Sequence, residues 1–192
     1  TQEGISSYSV LRGPFDQWLA SKAEAAGAEF IYGIPVEGLV KDGSGRVIGV
    51  RAGEDEITGD VVILCDGANS TLASDAVGAR IPTPHEMAVG IKQVIELPAD
   101  VITNRILAAN DDEGAAWLFA GEVTDGMFGG GFAYTNRSSI SLGIVCGLEA
   151  LSKPGAKPLC QMMEDFKSHP AIAPLIRDGK VVEHSGHMVP EG

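Results

Sequence analysis

The sequence predicts an α+β fold in which most strands pair antiparallel and a few helices flank the sheets. Two short runs, residues 36–40 and 46–51, enclose the turn sequence KDGSG, which is typical of a β-hairpin. After the sequence IPTP at residues 81–84, further β-type runs follow with links too short for crossover helices. The 25 glycines among 192 residues suit turns, strands and close backbone contacts better than a helical bundle.

A helix opens the first half of the chain. Pro14 suits a first helical turn because its φ is already helical, and Gly27 is a natural stop. Four side chains recur at the three-to-four-residue spacing of one buried helical face: Phe15, Trp18, Leu19 and Lys22. A strand over residues 29–33 is expected to follow this helix, before the hairpin.

A third strand is predicted over residues 57–64, after the hairpin. Its last four residues, VVIL, are continuously apolar, which is typical of a strand buried on both faces. The strand leads into a small-residue turn, DGANS, and a short helix is expected over residues 70–77. Because α/β folds place ligands beyond the carboxyl ends of buried strands, Asp66 and Gly67 are candidate site residues. An ordinary strand-to-helix turn is the alternative.

The second half predicts an antiparallel sheet flanked by helices. Strands are expected over residues 88–97, 115–120, 128–134, 140–146 and 180–188. A helix over residues 158–167 would present Leu159, Met162, Met163 and Phe166 on one face.

A run of three glycines interrupts one of these strands. Gly129, Gly130 and Gly131 stand between Phe128 and Phe132. Glycines permit a ring or a second backbone to approach closely, and aromatic side chains supply an apolar wall. The run is therefore a candidate surface for an apolar ligand, with a bulged core strand as the alternative.

Charge and composition exclude several classes. A net charge of −12 disfavours a nucleic-acid binder, and no apolar run is long enough for a transmembrane span. Cys65, Cys146 and Cys160 form no CxxC pair and are interpreted as small buried residues. His184 and His187 are three residues apart, so a strand would place them on opposite faces and no shared metal is expected.

The order of the sequence blocks resembles one group of flavoproteins. The blocks VLRGPFDQWLASKAEAAGAEF and VVILCDGANS resemble the middle of a glutathione-reductase-type FAD fold. More narrowly, the chain resembles the FixC and electron-transfer flavoprotein–quinone oxidoreductase family, relatives of geranylgeranyl reductase. This narrower resemblance rests on the blocks GIKQVIEL, GGGFAY and FKSHPAI.

This resemblance implies a partial FAD domain, a β-meander plus one strand of the main sheet, joined to an antiparallel-sheet substrate domain. Residues 1–80 would form the incomplete FAD-binding segment and residues 81–187 the substrate or quinone side. Residues 188–192 would begin the return to the FAD domain.

The resemblance also implies roles for particular residues, none of them catalytic. Arg12 would contact FAD near its phosphates or ribose, although an ion pair with Asp16 is the alternative. Val36 would meet the adenine through its backbone, and Asp66 and Gly67 would line the cofactor. The residues approaching the flavin ring would be Pro190, Glu191 and Gly192.

The function implied is that of an FAD-dependent oxidoreductase. Such a protein takes electrons from an electron-transfer flavoprotein and passes them to quinone or to a ferredoxin-like partner. It lies in the cytoplasm, free or peripheral to the inner membrane. Three scattered cysteines cannot supply the four ligands of an iron–sulfur cluster, so none is expected in this chain.

The phosphate-binding GxGxxG turn and the later Gly-Asp segment of the family are absent from these 192 residues. The chain is therefore expected to be a central fragment, inactive in isolation. Two alternatives stay open: a flavin-dependent reductase of isoprenoid double bonds, and a non-catalytic acidic binding module.

Overall fold

The computed structural model describes residues 7–191, which divide into two compact units. The hairpin unit is Asp16–Pro82. The sheet unit consists of the described residues up to Phe15 together with those from Thr83 onward. Both units combine antiparallel strands with short helices, so the predicted α+β class is confirmed.

The hairpin unit holds a three-stranded antiparallel sheet. Its strands are β1 (Gly38–Lys41), β2 (Val47–Ala52) and β3 (Asp55–Thr58), in the order β1-β2-β3. The turn between β1 and β2 is fastened by Asp42, whose Oδ1 accepts hydrogen bonds from the backbone N–H groups of Ser44 and Arg46 at 2.8 and 3.1 Å. The predicted hairpin and meander are therefore confirmed.

Two helices belong largely to this unit. They are α1 (Arg12–Ala25) and α2 (Ala73–Val77). No residue of α1 is buried, and Trp18 is 54% exposed. The prediction of one buried helical face is therefore wrong. Good helix formers such as alanine, lysine and glutamate explain why the segment is still helical.

Two stretches predicted as strands lie outside every strand of the structure. Residues 29–33 and 61–64 pair with no segment of the described chain. Val61 and Ile63 are 76% and 78% exposed, so the expected strand buried on both faces is a wrong prediction. A strand needs a neighbour for its N–H and C=O groups, and apolar sequence alone does not supply one.

The sheet unit is built on five antiparallel strands. They are β4 (Met87–Glu96), β5 (Ala116–Phe119), β6 (Gly129–Asn136), β7 (Ser139–Gly147) and β8 (Lys180–Pro190). Their spatial order is β5-β6-β7-β4-β8, so the two longest buried strands, β4 and β7, lie side by side near the centre. The predicted antiparallel sheet of the second half is confirmed within a few residues at each end.

Four helices accompany this sheet. They are α3 (Ala99–Ile106), α4 (Leu148–Leu151), α5 (Leu159–Ser168) and α6 (Ala173–Ile176). Single 3-10 turns occur at Pro84–Glu86 and Glu122–Thr124. Helix α5 confirms its prediction, and Met162, Met163 and Phe166 are buried on one side of it.

The main hydrophobic core lies on one face of the sheet, called the helix face below. Fully buried side chains of alternate β7 residues, Leu142 and Ile144, pack with Ala133 of β6 and with Met163 and Phe166 of α5. Because side chains alternate along a strand, the intervening residues of the same strands lie on the opposite face. We call that side the second face.

Candidate functional site

The antiparallel register brings separate parts of the sequence to one end of the five-stranded sheet. Gly129 at the start of β6 pairs with Cys146 near the end of β7. Cys146 pairs in turn with Val89 of β4, and Val89 with Met188 of β8. We call this row, with the residues beyond it, the sheet end. The sheet end contains the start of the predicted glycine run, Gly129, and the last predicted site segment, which begins at Pro190.

Strand β8 is an edge strand, and its last residues belong to the sheet end. Pro190, a predicted flavin contact, is the last residue of β8 and pairs with Met87. The backbone N–H of Glu191 then donates a hydrogen bond of 2.7 Å to the carbonyl of Glu86. The backbone of both predicted residues is thus held against the start of β4. Gly192 lies outside the described residues.

A buried thiol lies behind this end of the sheet. Cys146 is 0% exposed. Burial raises the pKa of its thiol, and the negative charge of Glu191 raises that pKa further. The sheet end therefore keeps a neutral thiol beside a carboxylate that is only partly buried.

The glycine run allows close packing in two directions. A Cβ added at Gly129, which has φ of 144°, would lie 2.1 Å from the carbonyl oxygen of Val145. A Cβ at Gly131 would lie 2.9 Å from the ring of Phe166, on the helix face. Gly130 stands between them and is half-buried. The run therefore permits both a close backbone approach and the packing of a core ring.

Two aromatic rings mark the second face. The rings of Phe132 and Tyr134 stack at 5.0 Å, with 17° between their planes. The ring of Phe132 extends over Gly143 of the next strand, where an added Cβ would lie 2.2 Å from it. Phe128, just before β6, is 74% exposed.

An ion pair beside these rings was not predicted. Gly143 separates Phe132 from Lys92 in one row across the sheet. The Nζ of Lys92 lies 3.0 Å from Oε1 of Glu183 on β8. The sequence does contain a signal: Lys92 is the one charged residue inside the block GIKQVI.

The predicted turn residues of the hairpin unit are accessible. Asp66 and Gly67 are exposed, and Gly67 has φ of 78° with no atom within 4 Å of an added Cβ. The N–H of Ser70 donates a hydrogen bond of 3.1 Å to the carbonyl of Gly67, which closes the turn. Val36, just before β1, is 43% exposed. Open backbone of this kind fits close approach by part of a cofactor such as FAD.

The remaining residues singled out from the sequence are Arg12, His184 and His187. Arg12 begins α1 and is exposed. His184 pairs with Gln93 and His187 with Gly90, so the predicted placement on opposite faces is confirmed. Within residues 7–191, no three His, Cys, Asp or Glu side chains cluster closely enough to hold a metal ion. No helix in the same range is long and apolar enough to cross a bilayer.

Comparison with known sequences identifies the family. A family model described as FAD dependent oxidoreductase matches residues 13–141. Protein FixC of Escherichia coli K12 is 53% identical over 191 residues, which are all of this chain and 44% of FixC. The probable electron transfer flavoprotein-quinone oxidoreductase YdiS of the same strain is 52% identical over 187 residues, or 97% of this chain and 43% of YdiS. The chain thus spans less than half the length of these relatives.

Solved structures share the fold at low identity. A geranylgeranyl bacteriochlorophyll reductase-like protein from Thermoplasma acidophilum superposes on 98% of this chain and 45% of its own, with a TM-score of 0.71 and 18% identity. The flavin-dependent brominase Bmp2 superposes on 95% of this chain and 44% of its own, with a TM-score of 0.66 and 16% identity. The resemblance to the FixC group is confirmed by the sequence relatives, and the fold by these structures. The chain belongs to the family of FAD-dependent oxidoreductases.

Proposed function

We propose that this chain forms the substrate-side sheet and part of the FAD-binding portion of a protein that carries electrons from an electron-transfer flavoprotein to quinone. Identity of 52–53% to FixC and YdiS across nearly the whole chain supports this activity. The name of YdiS states both the donor and the acceptor for that protein. When bound, FAD supplies the redox chemistry, and the residues of this chain bind and orient it.

The observation that carries the proposal is the convergence at the sheet end. Strand register brings Gly129 and Pro190, 61 positions apart in the printed sequence, to the same end of one sheet. Under this proposal Pro190, Glu191 and Gly192 approach the flavin ring there. The backbone of Pro190 and Glu191 suits this task because strand pairing and the Glu191–Glu86 hydrogen bond fix its position.

The hairpin unit supplies further proposed cofactor contacts through its backbone. Asp66 and Gly67 would line the cofactor at the exposed turn, and Val36 would meet the adenine. Arg12, of the sheet unit, would offer its guanidinium to the phosphates or ribose, a pairing for which arginine geometry is well suited. The domain assignment follows: an FAD-binding segment over residues 1–80, a substrate side over 81–187 and a return over 188–192.

The second face of the sheet is the proposed quinone surface. A quinone ring is planar and apolar with carbonyl acceptors, so it requires an aromatic wall with a nearby donor. Phe132 and Tyr134 supply the wall, and Phe128 with the glycine run borders it. Lys92, beyond Gly143, has an ammonium group able to donate a hydrogen bond to a carbonyl oxygen.

Two finer assignments complete the proposal. A ferredoxin-like protein is the proposed further partner, as the resemblance to the FixC group implies. Peripheral contact with the inner membrane is the proposed location, because a membrane quinone has to reach the second face.

A chimera tests the proposed quinone surface. The chain would replace its matching stretch in E. coli FixC, and quinone reduction would be followed with a reduced electron-transfer flavoprotein as donor. Phe132→Ala should raise the KM for quinone about tenfold, equivalent to about 1.4 kcal/mol, and leave the flavin content unchanged. The control is Leu107→Ala, because Leu107 is 91% exposed and lies outside the proposed surface.

Two results would refute this assignment. One is an unchanged KM in the Phe132→Ala chimera. The other is an equal rise in the Leu107→Ala control, which would indicate a general loss of structure. A chimera with bound flavin that reduces no quinone would contradict the proposed acceptor itself.

A further inference from the structure

A concave site lies on the helix face of the sheet, on the side opposite the proposed quinone surface. Its volume is about 690 Å³, within the range of small-molecule sites. It lies between the 3-10 turn Glu122–Thr124 and helix α5. Its floor belongs to the hydrophobic core: Phe119, Val123, Met162 and Phe166.

The floor is rigid and apolar. The rings of Phe119 and Phe166 meet edge to face at 5.1 Å. Phe166 lies against Gly131, where an added Cβ would come within 2.9 Å of the ring. Met162 is 2% exposed. A ligand entering this cavity would thus meet fixed aromatic and thioether surfaces.

The rim is acidic. Three carboxylates border the cavity, those of Glu122, Asp125 and Asp165, against the single ammonium group of Lys157. Lys157 forms an ion pair with Asp165, which neutralises that carboxylate. Within residues 7–191, the carboxylates of Glu122 and Asp125 form no hydrogen bond or ion pair. Asp125 is still close enough to act on Lys157, whose pKa is raised by its hydrogen bond to Asp165 and by the negative charges of Asp165 and Asp125.

The backbone that carries these two carboxylates is fastened by the turn. The hydroxyl of Thr124, which is 0% exposed, donates a hydrogen bond of 2.6 Å to the carbonyl of Met127. The N–H of Asp125 donates a hydrogen bond of 2.9 Å to the carbonyl of Glu122. The turn therefore fixes the backbone positions from which both carboxylates reach the rim, which reduces the backbone entropy lost when a ligand binds.

We propose that this cavity binds a small organic cation: an apolar body on the Phe119–Phe166 floor, with an ammonium group held by Glu122 and Asp125. The remaining negative charge disfavours an organic anion of the same shape. The volume lies within the range of pockets that bind small molecules. The site lies on the opposite face of the sheet from the proposed quinone surface, with Gly131 packed against Phe166 of its floor.

A matched series of three probes tests charge and apolar binding separately. Octylammonium, octanol and octanoate would be titrated into the 192-residue protein below their aggregation concentrations. Calorimetry would give the affinity, and amide NMR shifts would locate the site. Octylammonium should bind one to one, at least about tenfold more tightly than octanol, with shifts confined to the Glu122 turn and α5.

The variant Glu122→Gln/Asp125→Asn should weaken octylammonium binding about tenfold and leave octanol binding unchanged. The control Glu54→Gln/Asp60→Asn removes the same charge from the hairpin unit and should bind octylammonium like the unaltered protein. Circular dichroism would verify that each variant is folded.

Three outcomes would overturn the proposal. Octanol binding as tightly as octylammonium would show an apolar cavity with no preference for charge. Octanoate binding more tightly than octylammonium would assign the cavity to an anion at Lys157. Equal weakening in the control variant would attribute the affinity to the net charge of the protein.

Discussion

Two glycines leave space for aromatic rings, one on each face of the five-stranded sheet. Gly131 leaves space for the ring of Phe166 on the helix face, and Gly143 leaves space for Phe132 on the second face. At both positions an added Cβ would fall within 3.0 Å of the ring, closer than real contacts allow. At the scale of single residues, the absence of a side chain therefore shapes both the cavity and the proposed quinone surface.

The three cysteines should differ in reactivity. Cys65 and Cys160 are exposed, contrary to the expectation that all three are buried, whereas Cys146 is buried. Burial and the charge of Glu191 raise the pKa of Cys146. At pH 8 we expect a thiol reagent to modify Cys65 and Cys160 in the folded protein, and Cys146 only after unfolding. Ellman's assay with and without denaturant measures this.

The same pKa shift predicts a dependence of stability on pH. The folded state holds the Cys146 proton more tightly than the unfolded state. Its contribution to stability is therefore complete below the ordinary cysteine pKa of about 8.5 and is lost as the pH rises beyond it. Rapid modification of three thiols in the folded protein would contradict the account of a buried, neutral Cys146.

At the scale of elements, hydrogen-bond partners separate the correct predictions from the wrong ones. The hairpin and the second-half strands were predictable because each has a neighbour close in sequence or a strong alternating pattern. Residues 61–64 have the apolar pattern without a partner in the described chain. Helix α3 was missed because its segment, ADVITNRI, combines β-branched residues with no N-cap side chain.

Helix α5 should carry much of the stability of the sheet unit. Phe166, a residue of α5, is 6% exposed and belongs to the hydrophobic core that α5 forms with the sheet. Phe166→Ala should lower the free energy of unfolding by about 3–5 kcal/mol. The matched control Phe128→Ala, at a side chain 74% exposed, should change it by less than about 0.5 kcal/mol. Chemical denaturation compares the two, and similar losses would contradict the assigned core.

At the scale of the whole molecule, the sequence suggested candidate site residues, and strand register determined which of them lie at the same end of the sheet. Pro190 and Gly129 reach that end, with two strands between them, because β8 pairs with β4 and β6 with β7. Local sequence patterns do not contain this order. The acidic cavity was not foreseen for the same reason: its rim and floor come from β5, a 3-10 turn and α5. The sequence singled out Lys92 by its charge, but it did not indicate that Glu183 is its ion-pair partner.

The most direct test of the central claim is FAD retention by two matched proteins: the 192-residue chain alone, and the chimera carrying it in place of the corresponding stretch of E. coli FixC. We expect the chimera to keep FAD through gel filtration. The chain alone, which lacks a GxGxxG phosphate-binding turn, should bind with a Kd weaker than about 10 μM, or about 7 kcal/mol. A folded but colourless chimera, or tight FAD binding by the chain alone, would contradict the account.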